Sequence, residues 1–366
     1  MSQSQSQADS VPPVREISHT VCHVQRTHRI AQILQASVHD VRFFAGMLRG
    51  VSFANRATIA ISPDGLKVIV EEARSILGVA YIWSGIFDEF TYTTPDPEDP
   101  DTGAAFEVPL STVLECLNIF GSAGPGAASS SAAHKKWRRA EDEEEGDGEG
   151  EGRRRGGKGI EHYIGASGDN RTGMRLSFLG EGHPMVLLLA EDASGPITTC
   201  HISTSEADPH LDLPFDPDNT ALQIILKSSW LRDALSELDP SIEKLTFVGN
   251  PKIEEPDGRR RAANAAAPPL FRIRAEGSYG STEMDYPDDR EVLETFECVR
   301  TIQYSYRFPH ILKTIKAVQN STKTSLRIDE EGLLSLQYLM PYTRPRGGER
   351  LDCFVEYRCL PLDNED

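Results

Sequence analysis

His19, Cys22, His23 and His28 put four metal-ligand side chains close together near the N-terminus. Structural zinc sites draw ligands in pairs from two ends of a fold. Here no second pair follows, and the cluster precedes the first periodic sequence near Ile33, so no metal site is expected. Metal-assisted phosphodiester hydrolysis would need carboxylates converging from structured strands. The acids instead fall in runs (Asp96–Asp101, Glu141–Glu151) or at turns such as Asp64 and Asp329–Glu331. No Asp-x-Glu pair lies in an early apolar strand. The glycine stretches GSAGPG (121–126) and GEGEG (148–152) lack the strand, Lys-Ser/Thr and helix context of a phosphate loop. No GxSxG or Cys/His pairing is present. Neither a catalytic residue nor a cofactor is expected.

The remaining chemistry is charge. Net charge is −18, which would repel nucleic acid if spread evenly. Any contact with a phosphate backbone must come from a local basic surface. Basic residues recur on the polar faces of short amphipathic segments: Arg42 and Arg49, then Lys227 and Arg232, then Lys313 and Lys316, with Lys323 just beyond. A sparse basic face suits backbone contact without base readout. The corresponding segment at 109–120 has no base; Glu115 and Asn118 hold its polar positions.

Those segments belong to a unit that occurs four times. In each, a short amphipathic helix precedes alternating strands joined at a turn. The first is VHDVRFFAGMLRGV (38–51), with Val41, Phe44, Ala45 and Leu48 on one face, followed by RATIAIS and LKVIVEEA around Pro63-Asp64-Gly65. The second is PLSTVLECLNIF (109–120), with Val113, Leu114, Leu117 and Phe120 aligned, followed by GMRLSFLG and MVLLLAE around Glu181-Gly182-His183. The third is KSSWLRDALSEL (227–238), with Trp230, Leu231, Ala234, Leu235 and Leu238, followed by KLTFVG and LFRIRAEG. The fourth is a single helix FPHILKTIKAVQ (308–319), with Ile311, Leu312, Ile315 and Val318, followed by KTSLRIDE and LLSLQYLM. Further strands lie in 75–93 and 295–308, and ITTCHIST and CFVEYRCL close the two halves. The expected fold is α+β, with two repeats per domain and helices packed on one face of antiparallel sheets.

Segments without periodicity divide the chain. Residues 1–30 read as a disordered tail. Domain 1 covers 31–202 and contains a Gly/Ser-rich, charge-blocked insert at 121–173 whose acids and bases nearly cancel. The Asp/Pro-rich stretch 203–220 reads as an interdomain connector, and domain 2 covers 221–366 with an insert at 251–269. Cys22, Cys116, Cys200, Cys298, Cys353 and Cys359 are far apart and read as free thiols in a reducing compartment. No run is long and apolar enough for a membrane helix, and the N-terminus reads as no secretory signal. Trp83 and Trp230 fall on apolar faces and read as core. Trp137 sits in HKKWRR (134–139), which suits nuclear import or a nucleic-acid patch.

The repeat resembles sliding clamps of the PCNA type. The phrases at 53–90, 109–121, STEMDYP (281–287), LRDALSELD (231–239), GLLSLQYL (332–339) and CFVEYRC (353–359) resemble the Rad-one (Rec-one) subunits of the nine-one-one checkpoint clamp. The resemblance covers about two-thirds of the chain and both halves. It implies a PCNA-like clamp fold of two domains, each with two β-α-β-β-β repeats. It implies a nuclear, non-enzymatic subunit of a heterotrimeric ring, with two other PCNA-like subunits as partners. The ring would encircle double-stranded DNA with recessed ends, be placed there by a clamp loader, and serve as scaffold for a checkpoint kinase and repair enzymes. The channel-facing helices would offer Arg42, Arg49, Lys227, Arg232, Lys313 and Lys316. One neighbour would meet the edge strand at Ile197, Thr198, Thr199, Cys200, His201 and Ile202. The other would meet Ser278, Tyr279, Thr282 and Met284. The connector would border a hydrophobic partner groove. A 3′–5′ exonuclease activity, also attached to this family, is the alternative; a scaffold that never touches DNA is another.

Overall fold

Asp40 starts the first helix. Its backbone is extended, at φ −144°, and its carboxylate accepts from the Arg42 amide at 3.0 Å, satisfying an amide the helix leaves open. Helix α1 (Val41–Gly50) then buries Val41, Phe44, Ala45 and Leu48, the predicted stripe, together with Met47. The structure, a computed structural model, describes residues 32–94, 103–121, 123, 171–191, 195–252, 268–343 and 350–363. The N-terminal His/Cys set, Trp137 and most of the two large inserts lie outside the described residues.

In the first half, α1 lies between β1 (Leu34–Val38) and the strands β2 (Arg56–Ser62), β3 (Gly65–Glu72) and β4 (Ile76–Trp83). Next come β5 (Glu89–Tyr92), β6 (Ala104–Pro109), α2 (Leu110–Leu117), β7 (Gly173–Phe178), β8 (Met185–Ala190), β9 (Ile197–Ile202) and the short β10 (Ser205–Glu206). The second half repeats the pattern: β11 (Thr220–Lys227), α3 (Ser228–Glu237), β12 (Ile242–Gly249), β13 (Phe271–Gly277), β14 (Gly280–Tyr286), β15 (Leu293–Cys298) and β16 (Ile302–Arg307). It closes with α4 (Phe308–Leu312), α5 (Ile315–Asn320), β17 (Lys323–Asp329), β18 (Leu334–Thr343) and β19 (Arg350–Cys359).

The sheets obey the same repeat. The order β5-β1-β7-β8-β9 recurs as β15-β11-β17-β18-β19, and β6-β2-β3-β4 recurs as β16-β12-β13-β14. All pairings among the described residues are antiparallel. β4 and β19 pair with each other, from Ile76↔Cys359 to Tyr81↔Phe354, which fuses one sheet of each half into a ten-stranded sheet. The described residues of both halves therefore belong to one compact unit.

Close packing marks that seam. Gly78 in β4 has no room for a side chain: a Cβ there would lie 2.7 Å from the Phe53 ring. Phe53 in turn packs on Tyr357 of β19, ring centroids 5.8 Å apart. Overpacking of a full core costs about 1–3 kcal/mol. Gly78→Ala is thus expected to lower stability by that amount in urea titration; an unchanged midpoint would show that the seam yields.

The predicted fourth helix is not continuous. It breaks at Lys313–Thr314 into α4 and α5. The amides of Lys313 and Thr314 bond to His310 and Ile311, a tighter i→i+3 pattern. Tyr338, wholly buried beneath, donates to Thr314 Oγ1 at 2.8 Å, and Thr314 donates to the Ile311 carbonyl. Trp230, predicted as core, is 44% exposed on α3. Its helix buries Leu231, Ala234 and Leu235, and position 230 falls beside that stripe. Trp83 is half-buried and donates to the Asp352 carbonyl at 3.2 Å.

Candidate DNA-facing helices and subunit edges

The helices form a row, α2 beside α1, α1 beside α5 and α5 beside α3. Each buries its apolar stripe and turns its polar residues outward, so the row is the surface on which the six nominated cations can be compared.

Half of them are already matched. Arg42 grips its own N-cap, Nη2 lying 2.7 Å from Asp40 Oδ2. Arg232 pairs with the adjacent Asp233 at 2.9 Å. Lys313 forms an ion pair with Glu72 across the β4–β19 seam, and its ammonium sits over the Phe53 ring at 5.8 Å. Arg49, Lys227 and Lys316 have no ion-pair partner among the described residues. Arg49 and Lys316 converge on one residue: Lys316 Nζ donates to Ser52 O and Oγ at 3.3 Å, and Ser52 Oγ donates to the Arg49 carbonyl. Partial burial lowers the basicity of Arg49, which remains a cation at neutral pH. Lys227 is exposed at the N-cap position of α3. Lys323 pairs with Glu294 at 2.7 Å.

The predicted subunit edges are sheet edges. Among the described residues, β9 pairs only with β8, and β14 only with β13. Along β9, Ile197, Thr199 and His201 are exposed, Thr198 and Cys200 are half-buried and Ile202 is buried. Cys200 faces Cys116 of α2; burial first, and then that contact, push the Cys116 thiol up to about 11. All cysteines among the described residues are free thiols. On β14, Thr282 is exposed and Met284 half-buried, and at the hairpin tip Ser278 is exposed and Tyr279 is 94% exposed.

Sequence reasoning missed a buried charge cluster. Glu356 of β19 is 2% exposed and lies between Arg327 and Arg358, at 3.3 and 2.9 Å. Ser335 donates to it at 2.8 Å and Tyr81 at 3.2 Å. Burial raises its pKa, but the hydrogen bond and charge of Arg358, then Ser335 and Arg327, outweigh that and hold it below the ordinary 4.5. The acid is saturated by cations, which leaves it no role as a metal ligand. Among the described residues no group of three potential ligands converges.

The cluster's cover is the 203–220 stretch. Leu211, Leu213 and Phe215 alternate inward onto Ile69, Leu77, Val79, Tyr81 and Leu333. Arg358 donates to the Leu213 carbonyl at 2.8 Å, and Arg327 stacks over the Phe215 ring at 4.6 Å. Farther along, Asp208 meets Arg56 at 2.8 Å. The stretch expected to border an apolar groove itself covers this apolar face. The alternation in LDLPF was the available signal.

The sequence comparisons agree with this architecture. The profile of the family described as Repair protein Rad1/Rec1/Rad17 matches residues 33–340. The chain is 31% identical over 329 residues to the human protein named Cell cycle checkpoint protein RAD1, covering 90% of this chain and 91% of that one. It is 28% identical over 331 residues to the Schizosaccharomyces pombe DNA damage checkpoint control protein rad1, covering 90% and 87%. It is 27% identical over 448 aligned positions to a Mycosarcoma maydis protein named DNA repair exonuclease REC1, covering 90% and 96%. With its doubled β-α-β-β-β halves and PCNA-like sheet order, this chain belongs to the Rad1/Rec1/Rad17 family of repair proteins.

Proposed function

We propose that the chain is a non-catalytic subunit of a heterotrimeric DNA damage checkpoint clamp, consisting of two clamp domains joined by the 203–220 connector. The observation that carries this reading is the internal repeat. Within the chain, β4 pairs with β19. Their repeat counterparts, β14 and β9, are open sheet edges among the described residues. An open edge strand presents unpaired amides and carbonyls that another chain can continue. Joining β14 of one subunit to β9 of the next by the geometry of the internal seam adds subunits head to tail, and such a contact closes a ring when the rotation allows. The helix row would then line the bore. There Arg49, Lys227 and Lys316 would meet phosphates of double-stranded DNA bearing recessed ends, without reading bases.

A clamp loader would place such a ring. The ring would act in the nucleus as a scaffold for a checkpoint kinase and for repair enzymes. The exonuclease alternative rests on the name of the Mycosarcoma maydis relative; the saturated state of Glu356 argues against that carboxylate as its centre.

Size-exclusion chromatography with light scattering tests the assembly. The chain alone is expected to run as a monomer, and with two other clamp-like subunits as a 1:1:1 complex. A stable homotrimer of the chain alone would sink the heterotrimeric reading. Magnesium-dependent DNA degradation that co-fractionates with the chain and vanishes on a single carboxylate substitution would overturn its non-catalytic part.

A further inference from the structure

Helices α1 and α3 hold the same place in the two halves, each between the first strand and the next sheet. Aligned from their first residues, their core positions agree: Val41, Phe44, Met47 and Leu48 are buried, and so are Ser228, Leu231, Ala234 and Leu235. They differ on one face. On α1 that face is covered by the second half of the chain. Phe43 stacks on Tyr342 at the end of β18, centroids 4.7 Å apart. Gly50 lies so close that a Cβ would come 3.2 Å from Val355 and 3.6 Å from Ala317. The counterparts on α3 are Trp230 and Glu237, and both are exposed. The strands that occupy equivalent places in the two halves differ likewise: β4 is almost wholly buried and β14 mostly exposed.

We propose that Trp230 anchors one subunit contact, doing at the outer junction what Phe43 does at the inner one. The proposal rests on the ring reading above and adds the kind of partner this end accepts. A bare tryptophan beside an open strand is the residue type that dominates interface energetics once enclosed. The occupant is a clamp-like subunit whose matching end carries an aromatic or long aliphatic side chain where Tyr342 sits.

Charge distinguishes a second copy of this chain from another clamp-like subunit. Across the inner seam, Lys313 pairs with Glu72 beside the β3–β4 turn. On α2, Glu115 occupies the position that Lys313 holds after β16, counted from the first helical residue. At the β13–β14 end the place of Glu72 falls to Gly277, and Ser278 Oγ donates to the exposed Glu243 of β12 at 3.2 Å. Two copies joined end to end by the geometry of the inner seam would therefore not repeat the Lys313–Glu72 ion pair. A second copy of this chain is therefore the poorer partner at the Trp230 end, because the ion pair of the inner seam is missing there.

The test uses the full chain and each clamp-like partner separately. Trp230→Ala should weaken binding to the one partner that engages β14 at least tenfold, leaving the other within twofold. In parallel, the chain labelled with 5-fluorotryptophan is followed by fluorine NMR. The Trp230 line, assigned by its loss in Trp230→Phe, should shift or broaden with that same partner only. Affinities within twofold of wild type for both partners, or an unmoved Trp230 line in a formed complex, overturns the proposal while leaving the ring reading intact. Failure of the wild-type chain to bind any clamp-like subunit overturns the ring reading and this proposal together.

Discussion

Replacing Glu356 with alanine is expected to cost about 3–5 kcal/mol, because it strands two half-buried cations rather than removing one attraction. Arg327 and Arg358 flank the acid, and the Nε atoms of both already lack partners. Without the carboxylate, desolvation of these guanidiniums is uncompensated. In thermal unfolding, a chain of this size should lose roughly 10 °C. Glu356→Gln should cost less, since an amide oxygen still accepts from Ser335 and the side-chain volume is kept. Removing the acid together with both arginines should cost less than removing the acid alone, which separates orphaned charge from lost packing. The variant should also expose the 211–215 stretch to proteolysis, because Arg358 holds the Leu213 carbonyl and Arg327 stacks on Phe215.

The pH dependence has a definite sign. Folded Glu356 is held below its ordinary value, so its contribution is complete above the unfolded pKa and fades as pH falls through the folded one. Wild type should therefore lose more stability than the alanine variant between neutral pH and the acid side of the ordinary 4.5. Parallel stability curves for the two proteins over that window would show that Glu356 is not the ionised centre of the cluster.

The parts legible in the sequence are those set by local rules. Asp40 ahead of an i, i+3, i+4, i+7 stripe marks α1, and Pro63-Asp64-Gly65 marks the β2–β3 turn. There Gly65 adopts φ +143°, where an added Cβ would strike the Ile82 carbonyl. The strands β1, β6 and β11 went unread: LQASV is too weakly apolar, and the other two run straight into helices that claimed the periodicity. Long-range partners were equally hidden. The charge of Lys313 on α4's polar side looked free because Glu72 is 241 residues away. Alternation in CFVEYRC puts Phe354, Glu356 and Arg358 on one face, which reads as solvated until Leu211, Leu213 and Phe215 cover it. Trp230 misled for the opposite reason: its type says core, and its exposure has a cause only when the chain is set beside a partner.

Those pairings also sharpen which cations should matter for DNA. In a ring assembled with its partners, Arg49→Gln with Lys316→Gln should lower the steepness of log affinity against log salt by about 2, roughly one unit per lost phosphate contact. The Lys316 side chain and the Arg49 carbonyl meet at Ser52 on the α1–α5 junction, and neither residue has an acid partner among the described residues. Arg42→Gln, Arg232→Gln and Lys313→Gln should each leave the slope nearly unchanged, because Asp40, Asp233 and Glu72 already neutralise them. Using glutamine rather than glutamate keeps repulsion out of the comparison. The measurement is retention of the loaded ring on end-blocked duplex DNA across a salt series, with thermal melting of each variant as a control for folding. Equal effects from the paired and unpaired sets would mean that the ion pairs open when DNA arrives. An unchanged slope in the Arg49/Lys316 variant would remove this subunit's α1–α5 surface from the DNA-contacting face and leave it as a pairing and docking element of the ring.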